Sequence, residues 1–155
     1  MAIEKVKAYF ESRGEISRIM EFEESTATVE LAAKAVGCEP GNIAKTISLI
    51  VEGKPILILL AGDVKIDNHK FRDTFHTKTK MIPIEDVENC IGHAVGGVCP
   101  FAVNEGVPIY LDESLKRFEK IYPAAGNDRS AVKLQLNELE KFINVKDWVD
   151  VSKKK

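Results

Sequence analysis

Residues 45–61 read KTISLIVEGKPILILLA, and this stretch decides the fold. Two apolar runs, Lys45 to Val51 and Pro55 to Ala61, flank Glu52-Gly53-Lys54. Runs of this length, rich in branched residues and parted by a short glycine-containing turn, predict a β-hairpin. The run from Ile56 to Ala61 is the longest apolar stretch in the chain and has the length of a buried strand. Pro40-Gly41 supplies a turn just ahead of the hairpin.

Working outward, Ile3, Val6 and Phe10 recur at helical spacing, with Gly14 as the stop. Ile16 to Phe22 is expected to be a strand. Thr26 or Thr28 caps a helix that runs to about Val36 and ends at Gly37. Asp67 or Asn68 opens a short helix with Phe71 and Phe75, and a further helix fits Pro83 to Cys90. Gly92 to Gly106 is glycine-rich and irregular. Val107 to Leu111 reads as a strand, followed by a short helix capped by Asp112. Ile121 to Ala124 and Ser130 to Leu136 are expected to pair across Gly126-Asn127-Asp128, and Asn137 with Glu140 has capping-box spacing. Strands and helices mix without regular βαβ alternation, so the fold class is α+β.

The 155 residues suit a single domain spanning 1–155, and 45% hydrophobic against 30% charged residues predicts a globular core. No segment has the apolar length of a membrane span, and Met1-Ala2-Ile3-Glu4-Lys5 does not resemble a signal peptide, so a cytoplasmic location is expected. Three separated cysteines make no disulfide framework and fit a reducing compartment. A net charge of −2 gives no global sign of nucleic-acid binding. Any RNA contact has to rest on a local patch, and Lys65, His69, Lys70, Arg72, His76, Lys78 and Lys80 form one, either an RNA footprint or a solvated face. Lys153-Lys154-Lys155 reads as a solubilising tail.

Several residues could carry chemistry. Lys45 alternates onto one strand face with Ile47, Leu49 and Val51, where a lysine either snorkels to the rim or lines a pocket. Gly96-Gly97-Val98-Cys99-Pro100 is either a plain turn or a loop whose N–H groups approach a developing oxyanion. Asp63 is either a ligand group or an Asx-type turn former, and Ser130 shares a face with Val132, Leu134 and Leu136. Cys90, His93 and Cys99 match no standard zinc spacing, so no metal is expected. A Cys99–His93 nucleophilic pair would lack an orienting partner. There is no P-loop and no dinucleotide fingerprint, and no cofactor is expected.

Ala44-Lys45-Thr46 opening a strand, Gly62-Asp63 ending the next, and Gly96-Gly97-Val98-Cys99-Pro100 further on together resemble the YbaK/EbsC family. That family comprises freestanding relatives of the editing domain inserted in bacterial prolyl-tRNA synthetase. The likeness runs from about Glu21 to Phe142 and includes Val107 to Asp112 and Gly126 to Leu139. It implies a mixed, barrel-like β-sheet with surrounding helices, and hydrolysis of the ester joining a wrong amino acid to the tRNA 3′-terminal adenosine. Lys45 falls on the family's functional lysine, and Gly96, Gly97, Val98, Cys99 and Pro100 fall on its G-x-x-x-P loop.

The resemblance implies loop N–H groups on the ester carbonyl, Lys45 on a terminal phosphate or the reacting group, and Thr46 beside it. It also implies that a ribose hydroxyl of the substrate helps to activate water, so no side-chain base is needed. Phe22, Thr26, Asp63, His93, Phe101 and Ser130 are candidates for substrate binding. Partners would be aminoacyl-tRNA, carrying a small amino acid on tRNA-Pro or a related tRNA, and a prolyl-tRNA synthetase. The pattern departs from some relatives at Ala131 and at Tyr122-Pro123. The alternative function is a non-catalytic tRNA- or synthetase-binding module of the same fold.

Overall fold

Leu57, Ile58, Leu59, Leu60 and Ala61 have no exposed surface in the computed structural model, which describes residues 2–155. They belong to strand β3 (Lys54–Ala61), which pairs antiparallel with β2 (Ala44–Val51) along its full length, Ala44 opposite Ala61 and Val51 opposite Lys54. The turn is Glu52-Gly53, and Gly53 takes a φ of 78°. On its other side β3 runs parallel to β5 (Ile109–Asp112), and β5 runs parallel to β9 (Val145–Val149). The sheet order is therefore β2-β3-β5-β9, with β2 at an open edge.

Three two-stranded ribbons surround this sheet. They are β1 (Ile19–Glu21) with β7 (Ser130–Val132), β4 (Val64–Ile66) with β10 (Ser152–Lys154), and β6 (Lys120–Ile121) with β8 (Leu134–Gln135). Helices α1 (Ala2–Glu11), α2 (Val29–Val36), α3 (Asn68–Phe75), α4 (Ile84–Ile91) and α5 (Leu139–Phe142) complete the α+β architecture. The sheets form no closed barrel among the described residues.

Local signals in the sequence place several boundaries. Thr28 caps α2 by accepting from the Leu31 N–H, and Gly37 ends it in the left-handed region. The Asp67 carboxylate accepts from His69 and Lys70 N–H groups to start α3. Other expectations are corrected. Ile16–Arg18 is a 3₁₀ turn, and the strand begins only at Ile19. The expected pairing across Gly126-Asn127-Asp128 is present, with Ile121 opposite Leu134 and Val132 N–H bonded to Pro123 O at 2.7 Å, but the second half is broken into two strands, of which β7 also pairs with β1. The capping box is Gln135 with Glu138, two residues before the expected pair. Arg18 grips that same Glu138 carboxylate at 2.6 and 3.0 Å, a long-range contact that local spacing cannot reveal.

The C-terminal lysines are the largest departure. Ser152–Lys154 form β10, with Lys153 opposite Lys65 and Lys154 opposite Val64. Asp112, buried at the end of β5, holds this strand: it accepts from Val151 N–H at 2.9 Å, Ser152 Oγ at 2.6 Å and Ser114 N–H at 2.9 Å. Removing its carboxyl would strand three donors, each hydrogen bond to a charged group being worth about 1.5–3 kcal/mol. Asp112→Ala is expected to lower unfolding stability by about 3 kcal/mol or more in urea titrations.

Candidate functional site

A cavity of about 410 Å³ opens beside the free edge of β2. Its walls come from the start of α2, the residues Ala44 to Ser48 of β2, the Val95–Val98 loop and the segment from Tyr122 to Ala131. Lys45, Thr46, Gly96, Val98, Thr26 and Ser130 all line it, although Thr26 and Ser130 lie 104 residues apart in sequence. Thr26 Oγ1 accepts from the Ser130 N–H at 3.1 Å, and Ser130 Oγ accepts from the Ala125 N–H at 3.2 Å. These bonds stitch the N-terminal segment to β7 and fix one end of the cavity.

Lys45 is half-buried, and its ammonium donates to the Val64 carbonyl oxygen on β4. Burial pushes its pKa down to about 8, and the Lys155 ammonium pushes the same way, while Asp63 and Glu30 oppose them. Lys45 is thus mainly a cation at neutral pH and loses its charge in a mildly alkaline range. The β4–β10 pairing that sets the Val64 carbonyl also brings Lys155 into range. The lysines that read as a tail are therefore part of the Lys45 environment.

The glycine loop divides into two parts. Gly96, with φ at 95°, and Val98 face the cavity. Gly97 instead packs against the neighbouring loop, where an added Cβ would lie 2.5 Å from Gly126 C and 2.6 Å from Asn127 N. Its N–H is committed to the Ala94 carbonyl at 3.0 Å. Gly97 is small to let two backbones approach, whereas Gly96 supplies the turn at the cavity wall.

Cys99, Pro100, Phe101 and His93 lie off the wall. Cys99 and Phe101 are fully buried, and the Phe101 ring stacks edge-on against Phe10 at 4.9 Å. His93 Nε2 sits 2.6 Å from the Phe101 carbonyl oxygen, which makes that nitrogen the donor, and burial lowers the imidazole pKa. Cys99 Sγ is 3.5 Å from the same nitrogen, and burial raises the thiol to about 12. A thiol this basic and enclosed supplies no thiolate at neutral pH, which removes the nucleophilic pairing. Phe22 lies outside the wall, its N–H bonded to Arg129 O at 2.9 Å. The Asp63 carboxylate is taken by Arg117 in a two-pronged pair at 2.6 and 3.0 Å, a bond that lowers its pKa. It faces Arg117 instead of the cavity.

Sequence reasoning missed the collar around the cavity mouth. Met81, Ile84 and Val95 line it while remaining 56%, 75% and 57% exposed, more than large apolar side chains usually are. Apolar residues interrupting the polar stretches around α4 were the available signal. A larger cavity of about 740 Å³ lies elsewhere, between Lys116, Gln135 and Trp148. It contains none of the residues proposed from the sequence as catalytic or substrate-binding, so the β2 cavity is the better candidate. Among the described residues no three His, Cys, Asp or Glu side chains converge as a metal site would require, and no helix is long and apolar enough to cross a membrane.

The chain is similar to several known proteins. A model of the aminoacyl-tRNA editing domain matches residues 23–142. The Bacillus subtilis protein YwhH, described only as uncharacterized, is 44% identical over 99% of this chain and 98% of its own. The proline–tRNA ligase of Aquifex aeolicus is 30% identical over 57% of this chain, a match that spans 16% of the ligase. A crystal structure described as a candidate trans-editing enzyme for prolyl-tRNA synthetase superposes with a TM-score of 0.87 and 29% identity, covering 98% of this chain and 97% of the other.

The burial of Cys99 has a direct test. In the native protein a thiol reagent should label the half-buried Cys38 and Cys90 while Cys99 stays unlabelled until urea unfolds the chain. Labelling of Cys99 at the rate of an exposed thiol would contradict its placement.

Proposed function

The chain belongs to the aminoacyl-tRNA editing domain family, and from that premise we propose that it is a freestanding deacylase of mischarged tRNA, with the β2 cavity as its active site. One observation carries this reading: Lys45, Thr46, Gly96 and Val98, from two distant segments, line one cavity. The ligase match and the trans-editing neighbour support tRNA-Pro, or a related tRNA carrying a small amino acid, as substrate and a prolyl-tRNA synthetase as functional partner.

An aminoacyl ester needs orientation, a placed water and a site for negative charge more than it needs a strong base. Water adds to the ester carbonyl carbon, the carbonyl oxygen becomes an oxyanion, and the bond to the ribose oxygen then breaks. The proton released by water passes to that ribose oxygen, leaving free amino acid and tRNA. A neighbouring ribose hydroxyl of the substrate relays the proton. Main-chain N–H groups at Gly96 and Val98 receive the oxyanion, while that of Gly97, bonded to Ala94, takes no part. The Lys45 ammonium anchors the terminal phosphate, with Thr46, Thr26 and Ser130 shaping the acyl end of the cavity. The apolar collar of Met81, Ile84 and Val95 suits the face of the terminal adenine. Asp63, Phe22, His93, Phe101, Cys99 and Pro100 act at one remove, by holding the walls.

Deacylation of tRNAs charged with alanine, cysteine, serine, threonine or proline tests the proposal. Wild type should hydrolyse one or two of them, and Lys45→Ala should lower kcat/KM about 100-fold with its unfolding midpoint nearly unchanged. Turnover of none, with tRNA still bound, would favour the non-catalytic binding module. The pH dependence follows from the lowered lysine pKa. The anchoring cation is present below about 8 and lost as pH rises through it. KM for charged tRNA should therefore climb above that pH in wild type, and Lys45→Arg should flatten the climb.

A further inference from the structure

The open edge of β2 carries a short gap centred on Thr46. In an antiparallel pair, alternate residues turn both main-chain groups toward the partner or away from it. Ala44 N–H donates outward to Tyr122 O at 3.2 Å, Ser48 O accepts from Ile82 N–H at 3.3 Å, and Ile50 N–H donates to Lys80 O at 2.9 Å. Ala44, Thr46, Ser48 and Ile50 are therefore the outward-facing set, in agreement with the register against β3. Neighbouring segments bond at Ala44 N–H on one side and at Ser48 C=O on the other, and the outward main-chain groups between these two points, with Thr46 at their centre, are left open. Among the described residues its N–H and C=O make no hydrogen bond, and Thr46 Oγ1 is buried without a partner.

Main-chain groups at a strand edge are seldom left unmet when another chain can pair with them. The cavity is lined by five consecutive residues of this edge, Ala44 to Ser48, and so borders the side on which an added strand would pair, about 4.8 Å away in an ordinary sheet. The seals at Ala44 N–H and Ser48 C=O confine the gap to a short stretch around Thr46. An aminoacyl ester carries an amine and a carbonyl on one α-carbon, the same acceptor and donor arrangement that one residue of an antiparallel strand presents.

We propose that Thr46 binds the aminoacyl group of the substrate through its main chain, as a one-residue strand addition: its N–H donates to the ester carbonyl and its C=O accepts from the α-amine. This deepens the deacylase reading and rests on it. The carbonyl oxygen has two lone pairs, so Thr46 N–H serves one and the Gly96–Val98 loop serves the other from the opposite wall. Recognition is then of the α-aminoacyl class, and the side chain of the amino acid is judged only by the room left beside the strand. A substrate lacking the α-amine loses one of the two contacts.

The test measures binding, so it does not depend on turnover. Two non-hydrolysable probes are titrated into the whole protein: 3′-alanylamido- and 3′-propionylamido-3′-deoxyadenosine, which differ by the α-amine alone. The alanyl probe is expected to bind about 10- to 100-fold more tightly, the range for a hydrogen bond to a charged group. Thr46→Val keeps both main-chain groups and should preserve that ratio. Thr46→Pro, tolerable at an outward-facing edge position, removes the N–H and should weaken both probes. Equal affinities in wild type, or no detectable binding of either probe, would overturn the proposal. The ratio in wild type decides the matter even where the proline variant does not fold. Failure of the deacylase reading would appear separately, as absence of hydrolysis in the charged-tRNA panel.

Discussion

An edge strand has to find partners for its outward main-chain groups, and in this protein that constraint shapes everything near β2. β3 is apolar on both faces and takes the interior of the sheet, with β5 and β9 added in parallel on its far side. That order leaves β2 at the rim. Segments from far along the chain then come to meet it: Tyr122 at one end, and Lys80 and Ile82 at the other. What they leave between them is the cavity, lined by Ala44 to Ser48 with Thr46 midway between the two seals.

The electrostatics of the site depend on a second long-range arrangement. Buried Asp112 fixes β10, β10 pairs with β4, and the Val64 carbonyl on β4 receives the Lys45 ammonium. A cation anchored in this way costs desolvation, and its lowered pKa is the sign of that cost. The carboxylate that acts most on Lys45, Asp63, is occupied by Arg117, so among the described residues Lys45 is left without a direct ion pair and remains able to meet an anionic ligand.

The local parts of this architecture were legible in the sequence. The hairpin over residues 45–61, the Thr28 cap with its Gly37 stop, and the Asp67 and Asp112 caps all follow from chemistry within a few residues. The resemblance carried by Lys45 and the 96–100 loop pointed to the family that the matching of residues 23–142 establishes. Distant pairings were not legible. Nothing in Lys153-Lys154 announces a strand, because its partner lies 88 residues away, as Lys65 stands to Lys153. The two glycines of the loop look equivalent in sequence and separate only when Asn127 packs on Gly97. Asp63, Phe101 and His93 carry residue types common in active sites, yet each is claimed by a contact 8 or more residues distant.

The most direct test of the account is to locate the acyl end of a bound substrate analogue. A ¹⁵N-labelled sample titrated with 3′-alanylamido-3′-deoxyadenosine should show the amide signals of Thr46, Gly96 and Val98 shifting together, while those around Trp148 stay still. Shifts confined to the Lys116–Trp148 cavity, or none at Thr46 when the analogue is saturating, would contradict it.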